Sequence, residues 1–159
     1  MPLVLRALLF TLVAPVSVGV LLPWWLSSRS MPEDWGPWRH LGWPLLAAGV
    51  AGYLWCVRDF VVRGGGTPNP FDPPLRFVAS GLYRHVRNPM YVAVGLTIIG
   101  QACLWPSRAP LLYVLALWPV FHGFVVLYEE PHLRRVFGAP YAEYLRRVPR
   151  WVPSLRARC

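Results

Sequence analysis

Charged residues are scarce in this sequence of 159 residues. They make up 14% of the chain, against 55% hydrophobic residues, whereas an average soluble domain carries roughly 25% charged residues. A chain this short cannot enclose so much apolar surface in a core of its own, because a small domain has a large surface for its volume. The composition therefore excludes an ordinary soluble domain and predicts a protein that lies in lipid.

Lysine is absent, and acidic residues are few. The 16 basic residues are all arginine, and the 7 acidic residues leave a formal net charge of +9. Such a charge is compatible with nucleic-acid binding. The arginines, however, fall mostly between and after apolar runs, which is typical of anchoring to anionic phospholipid headgroups. We therefore expect the lipid bilayer as a partner and no nucleic acid.

The sequence also lacks recognisable metal-ligand and nucleophile patterns. Cys56, Cys103 and Cys159 form no CxxC pair and have no metal-ligand spacing. Neither His85 nor His122 has a second histidine or cysteine at ligand spacing, so no metal is predicted. No Ser–His–Asp or Cys–His arrangement is recognisable either. Any chemistry at this chain is thus expected to need no metal and no covalent nucleophile.

Four apolar stretches are present instead. They cover residues 3–26, 41–62, 90–105 and 111–128. A helix needs about 20 residues to cross roughly 30 Å of hydrocarbon, so the third stretch is short for a full crossing. Residues 106–110 form a tight break, which predicts a helical hairpin from the last two stretches. We expect an all-α membrane protein with about four transmembrane helices.

The arginines predict how these helices are oriented. They are concentrated in the loop 63–89 and in the tail after residue 131, whereas the other loops hold few. Four crossings place that loop and the tail on one side, which the positive-inside rule assigns to the cytoplasm. The tail has apolar residues at three-to-four spacing, interrupted at 138–140, and predicts an amphipathic cytoplasmic helical segment. We expect the cytoplasmic membrane of a bacterium or archaeon.

An acidic pair, Glu129-Glu130, follows directly on the fourth apolar run. A solvated helix end is the simple interpretation. The C-terminal end of a helix disfavours anions through its dipole, however, so two carboxylates there are expected to need cationic partners. Arg84 and Arg87, on the same side, are candidates, and so is a cationic ligand.

A polar segment precedes the third apolar run. Asn88 and Pro89 fit the cap and first residue of a helix, and the neighbouring tyrosines fit a belt at the headgroups. The functional alternative is a ligand held at the helix N-terminus, where free amide groups favour an anion. His122, within the fourth run, is expected to hydrogen-bond across helices or to line a cavity.

Three motifs occur in order and with suitable gaps. They are Tyr83-x-x-x-Arg87-Asn88-Pro89-Met90-Tyr91, then Glu129-Glu130, then Phe137-Gly138-x-x-Tyr141-x-x-Tyr144. Together they resemble the superfamily of isoprenylcysteine carboxyl methyltransferases and phospholipid N-methyltransferases. The resemblance implies a helical membrane enzyme that binds S-adenosylmethionine on its cytoplasmic side. The chain length predicts one domain over 1–159, and the first two apolar stretches place two helices in 1–62. The resemblance implies that the cofactor-binding and catalytic part lies in 63–159.

The resemblance implies specific site residues. Its cofactor-binding positions are Phe77, Val78, Tyr83, Arg87, Asn88, Pro89, Tyr91, Glu129 and Glu130. Methyl transfer from a sulfonium is an in-line displacement in which the protein mainly aligns donor and acceptor. An ammonium acceptor must lose a proton, for which Glu129, Glu130 and His85 are the candidate catalytic groups.

The acceptor is predicted from a missing arginine. Prenylcysteine enzymes hold the substrate carboxylate with an arginine shortly before the acidic pair, but residues 123–128 contain none. Arg147 and Arg150 in the tail are candidate contacts for a lipid phosphate, which guanidinium binds bidentately. A phospholipid amine is therefore favoured over a prenylcysteine carboxylate as lipophilic substrate. The alternatives are an NADPH-dependent membrane reductase of related fold and a non-catalytic membrane scaffold.

Overall fold

The computed structural model describes residues 2–31, 33–67, 69 and 75–154, and within these ranges its regular structure is helical throughout. There are five main helices, with one short 3-10 turn at Gly81–Arg84 before the third. They are α1 (Leu3–Arg29), α2 (Gly36–Gly64), α3 (Pro89–Leu104), α4 (Ala109–Phe137) and α5 (Ala139–Arg147).

Three of these helices are long and apolar enough to cross a membrane. α1 has 27 residues, and α2 and α4 have 29 each. α3 is apolar but has only 16 residues, so at 1.5 Å per residue it extends about 24 Å, less than the roughly 30 Å of hydrocarbon. The predicted all-α membrane fold is confirmed, including the short third helix and the hairpin that it forms with α4.

Glycines allow α2 and α3 to pack backbone against backbone. A Cβ on Gly42 would lie 2.6 Å from the carbonyl oxygen of Gly100, and one on Gly100 would lie 2.6 Å from the backbone nitrogen of Leu46. Gly49 likewise has the carbonyl of Ala93 2.7 Å from its would-be Cβ. Small residues are the usual means of close helix approach in lipid. These contacts hold the first half of α2 against α3, with Gly42 beside the end of α3, so the two helices are antiparallel.

Loop contacts define the two ends of the helix bundle. At one end, the Glu33 N–H donates to the carbonyl of Pro106 at 3.0 Å, and Arg108 pairs with the Glu33 carboxylate at 2.9 Å. At the other end, the Arg87 N–H donates to the carbonyl of Pro149 at 2.8 Å. The arginine-rich loop and the tail therefore lie together, as the topology prediction requires.

The acidic pair does not end a helix, and that part of the prediction is wrong. α4 passes through Glu129 and Glu130 and continues to Phe137. The π-helical turn Val125–Glu129 ends two residues before Pro131. A proline has no N–H to donate and its ring clashes with the carbonyl four residues earlier in a regular helix. The widened turn accommodates the proline, so the apolar run and the polar turns form one helix.

The tail is helical and interrupted where the sequence indicates. α4 ends before Gly138, whose φ of +59° suits glycine, and α5 follows at once. The predicted amphipathic helical segment is therefore the end of α4 together with α5. In the glycine- and proline-rich loop, α2 extends to Gly64, slightly further than predicted. Pro68 and residues 70–74 lie outside the described residues.

Candidate functional site

The chain after α5 crosses back over the loop that precedes α3. We call residues 148–154 the tail strap. The Arg87 N–H donates to the carbonyl of Pro149 at 2.8 Å, and the Ser154 N–H donates to the carbonyl of His85 at 2.9 Å. The His85 ring nitrogen Nδ1 lies 2.8 Å from the Ser154 carbonyl oxygen. The strap therefore fixes the backbone of the loop in which the first sequence motif lies.

The Asn88 side chain hydrogen-bonds to the tail strap and not to the first turn of α3. Pro89 is the first residue of α3, as predicted, but Asn88 makes no side-chain cap hydrogen bond. Its Nδ2 donates instead to the carbonyl of Arg150 at 3.1 Å. Asn88 thus occupies the predicted cap position, but this hydrogen bond turns its side chain toward the tail strap, and its Oδ1 accepts no cap hydrogen bond.

Glu130 joins the loop, α4 and the tail strap in one ion-pair network. Arg87 Nη1 donates to Glu130 Oε1 at 2.8 Å. Arg150 donates from Nε to Oε1 and from Nη2 to Oε2, both at 2.9 Å. This bidentate geometry is the strong form of the arginine–carboxylate contact, and it raises the pKa of Arg150. Of the two arginines predicted as partners, Arg87 takes this role.

Glu129 accepts fewer hydrogen bonds than its neighbour Glu130. The Tyr91 hydroxyl donates to Glu129 Oε2 at 2.9 Å. The other oxygen, Oε1, accepts no hydrogen bond from the residues that the structure describes. The Tyr91 ring in turn packs on Phe121 of α4, with 4.8 Å between ring centroids. Glu129 is the carboxylate of the pair that keeps hydrogen-bonding capacity for a ligand.

Two cavities meet at this acidic pair. The larger, of about 220 Å³, lies among the membrane helices and is walled mostly by apolar side chains. The smaller, of about 50 Å³, lies against the tail. The residues lining both are Phe60, Tyr83, Arg87, Asn88, Glu129 and Leu133. A ligand in either cavity therefore meets the same polar groups.

Aromatic rings from the tail line the smaller cavity. Phe77 lies at their centre, 5.0 Å from Tyr144, 5.5 Å from Tyr141 and 5.6 Å from Phe137 between ring centroids. The Tyr144 hydroxyl donates to the carbonyl of Tyr83 at 2.8 Å. Burial raises the pKa of Tyr141, and that of Tyr83 well above its usual value, so both hydroxyls stay protonated. The cavity offers flat apolar faces and neutral hydroxyls.

The structure gathers most of the residues predicted from sequence. Phe77, Val78, Tyr83, Arg87, Asn88, Tyr91, Glu129 and Glu130 all line one cavity or both. Among the described lining residues, His85 and Pro89 do not occur. Arg147 lies on the outer face of α5, paired with Glu143 at 2.7 Å, and so is separate from Arg150.

Several lining residues were not predicted. Phe60 and Tyr53 of α2 and Tyr128 and His132 of α4 lie on cavity walls, as do residues of α1. Tyr141 and Tyr144 could be identified from the sequence, since they stand three residues apart within the third motif. The others stand in apolar runs where nothing in the local sequence separates a cavity wall from a lipid contact.

The middle of the tail strap is anchored on α4. Trp151 Nε1 donates to His122 Nδ1 at 3.0 Å. The Trp151 ring lies 4.8 Å from that of Trp118 and 6.2 Å from that of Tyr91 between centroids. His122 thus bonds to the tail strap and not to a neighbouring transmembrane helix. Over the described part of the chain, no group of three histidine, cysteine or acidic side chains is placed to hold a metal ion.

Comparison with known proteins agrees with the motifs. A sequence model of the phospholipid methyltransferase family matches residues 38–140. A protein-S-isoprenylcysteine O-methyltransferase of Schizosaccharomyces pombe is 35% identical over 79 residues, 49% of this chain and 33% of that protein. A phosphatidylethanolamine N-methyltransferase of Arthroderma benhamiae is 28% identical over 115 residues, 69% of this chain and 12% of that protein.

A bacterial protein is similar over a comparable stretch. The cobalt-zinc-cadmium resistance protein CzcN of Cupriavidus metallidurans is 29% identical over 115 residues, 72% of this chain and 49% of that protein. The chain spans half or less of the length of these relatives. The family match itself covers more than half of the chain. It includes both the first motif, with Arg87 and Asn88, and the acidic pair Glu129-Glu130. The resemblance inferred from the motifs is confirmed, and the chain belongs to the phospholipid methyltransferase family.

Proposed function

We propose that this protein is an integral membrane methyltransferase that moves a methyl group from S-adenosylmethionine to a lipid-like acceptor. The observation that carries the proposal is the junction of two unlike cavities at Tyr83, Arg87, Asn88 and Glu129. One cavity lies against the polar tail, and the other lies among membrane helices. A charged donor and a lipophilic acceptor can thus reach one point from different sides.

The residues present suit this cofactor. The rings around Phe77 offer faces for an adenine, Arg87 offers a cation for a carboxylate, and Glu129 offers an anion beside a sulfonium. The smaller cavity, about 50 Å³, is well below the roughly 300 Å³ at which drug-sized sites begin. The cofactor would therefore also need the polar end of the larger cavity. When bound, S-adenosylmethionine supplies the activated methyl group.

The two carboxylates have different proposed roles. An ammonium acceptor must lose a proton before its nitrogen can attack, and Glu129 has an oxygen available to accept that proton. Glu130 is engaged by Arg87 and Arg150, so we assign it to holding the tail strap and the loop in place. His85 is bonded to the tail strap outside both cavities, so of the three predicted catalytic groups Glu129 is preferred.

The cavity walls favour an amine as the acceptor. Arg87 is the arginine among the described lining residues of the larger cavity, and its guanidinium is engaged by Glu130 and, in this proposal, by the cofactor carboxylate. A buried substrate carboxylate would therefore lack a cation, which is costly. An ammonium would instead meet the Glu129 carboxylate and the faces of Tyr91 and Phe121, which attract cations. We accordingly propose a phospholipid amine over a prenylcysteine carboxylate.

The same proposal includes the domain organisation, the membrane face of the site and the contacts for a lipid phosphate. Residues 63–159 supply most of the cofactor-binding and catalytic groups within the single domain 1–159. By the positive-inside rule, the site and the C-terminus face the cytoplasm. Arg147 and Arg150 remain proposed contacts for the lipid phosphate, since Arg147 is half-exposed and Arg150 Nη1 takes no part in the bidentate contact with Glu130.

Ligand binding in detergent tests the proposal. S-adenosylmethionine and its demethylated product should raise the unfolding temperature and bind in the micromolar range, about −8 kcal/mol. NADPH should do neither, whereas a membrane reductase would respond to NADPH and a scaffold to no cofactor. Membranes given radiolabelled methyl donor should then show label in the phospholipid fraction. Label confined to an added prenylcysteine would overturn the choice of acceptor.

A further inference from the structure

The first helix forms one wall of the larger cavity, although it precedes the residues that match the family. The family match begins at residue 38, and α1 ends at Arg29. Phe10, Ala14 and Val18 of α1 nevertheless line the cavity, together with Pro15. Residues four apart lie on one face of a helix. These three side chains therefore mark a line along the cavity over two helical turns.

Specific hydrogen bonds hold α1 in this position. The hydroxyls of Thr11 and Tyr53 of α2 lie 3.1 Å apart. Gln101 of α3, which is buried, donates from Nε2 to the carbonyl of Gly19 at 2.6 Å. A buried side-chain amide that bonds the backbone of another helix fixes their relative depth, because leaving it unpaired in an apolar interior is costly. The α1 wall is thus a defined part of the cavity.

The dimensions of the cavity suit a narrow group. Its volume of about 220 Å³ lies between the roughly 150 Å³ of a cavity that holds benzene and the roughly 300 Å³ of small drug sites. From Phe10 to Val18 the wall extends about 12 Å along α1, at 1.5 Å per residue. The lining residues of α1 therefore follow the helix axis, with Ala14 and Pro15 at the same turn between Phe10 and Val18.

We propose that α1 determines which amine acceptor binds, by limiting how far the apolar part of the acceptor extends past Ala14 and Val18. The proposal rests on the proposed function, because it places the acceptor in the larger cavity with its amine at Glu129. Ala14 is the small residue of the wall, so it leaves the space open at its turn. A larger side chain there would close the cavity closer to the acidic pair than one at Val18.

Binding of a homologous series of primary n-alkylamines tests this directly, with calorimetry in detergent as the readout. Ala14→Phe should weaken long-chain amines about tenfold or more while leaving short ones unchanged, and Val18→Phe should do the same only beyond a longer chain. Val13→Phe is the matched control, since Val13 is 70% exposed on the lipid side. Ala14→Leu serves as a milder variant if Ala14→Phe does not fold.

The outcomes separate this inference from the proposed function. Identical chain-length profiles for wild type, Ala14→Phe and Val18→Phe, or an equal change in Val13→Phe, would overturn the role of α1. Each variant should keep the wild-type affinity for S-adenosylmethionine, which shows that the fold is intact. Absence of methyl transfer by the wild type to every amine would contradict the proposed function, while the binding profiles would still decide the role of α1.

Discussion

Two adjacent carboxylates in this protein have unlike surroundings. Glu130 accepts three hydrogen bonds from Arg87 and Arg150, whereas Glu129 accepts one from Tyr91. Successive helix residues point about 100° apart, so one side chain faces the tail strap and the other faces the larger cavity. The sequence shows an acidic pair, but only the neighbours distinguish a structural carboxylate from one that can accept a proton.

Glu129→Gln should reduce methyl transfer to an amine by about 100-fold, because the amide keeps the shape but cannot accept a proton. Its unfolding temperature should stay near that of the wild type. Tyr91→Phe, which removes the hydroxyl that orients Glu129, should give a smaller loss. Glu143→Gln on the outer face of α5 is the matched control and should leave the rate unchanged. Full activity of Glu129→Gln would rule out this carboxylate as proton acceptor.

Glu130→Ala should lower the stability of the folded protein and not only the rate of methyl transfer. It leaves Arg87 and Arg150 partly buried without their carboxylate, and breaking such a pair costs about 3 kcal/mol. The measurement is the unfolding transition in detergent, compared with that of Arg150→Met. If the network acts as a unit, the double variant should be no less stable than Glu130→Ala. A transition equal to that of the wild type would show that the ion pairs do not hold the tail strap.

At the scale of elements, α2 and α3 pack closely because glycine, which has no side chain, stands at their contact. Gly100→Ala would place a Cβ 2.6 Å from the backbone nitrogen of Leu46, so it should destabilise the protein by about 1–3 kcal/mol. Gly123→Ala, in α4, has nothing within 4 Å of the new Cβ. It should be neutral or stabilising, by at most about 1 kcal/mol from helix propensity. Equal unfolding temperatures for the two variants would contradict close packing of these helices.

The element boundaries show where sequence patterns succeed and where they fail. The apolar runs predict the spans because a helix in lipid must be apolar over a fixed length. The end of α4 was misplaced because its apolar run stops before the helix does. Beyond Tyr128 the helix continues with contacts to the tail strap and to α5, and Glu129 and Glu130 pair within the protein. Local hydropathy does not contain that information.

At the scale of the whole molecule, the arginine-rich loop and the tail lie at one end of the bundle. If that end faces the cytoplasm, reporter fusions after Gly65 and after Cys159 should both report an inside location. A fusion within the loop near Asp34 should report outside, because Glu33 lies at the opposite end beside Pro106. A different location for the first two reporters would contradict the crossing of the α3–α4 hairpin.

The sequence by itself determined the lipid environment, the helical class, the short third helix and the three motifs of the family. Each of these depends on composition, length or residue spacing, which are properties of the chain alone. Only the tertiary structure separated Glu129 from Glu130, turned Asn88 toward the tail strap and brought α1 to the cavity. These features depend on contacts between residues far apart in the chain, and an apolar side chain that lines a cavity reads in sequence like one that faces lipid.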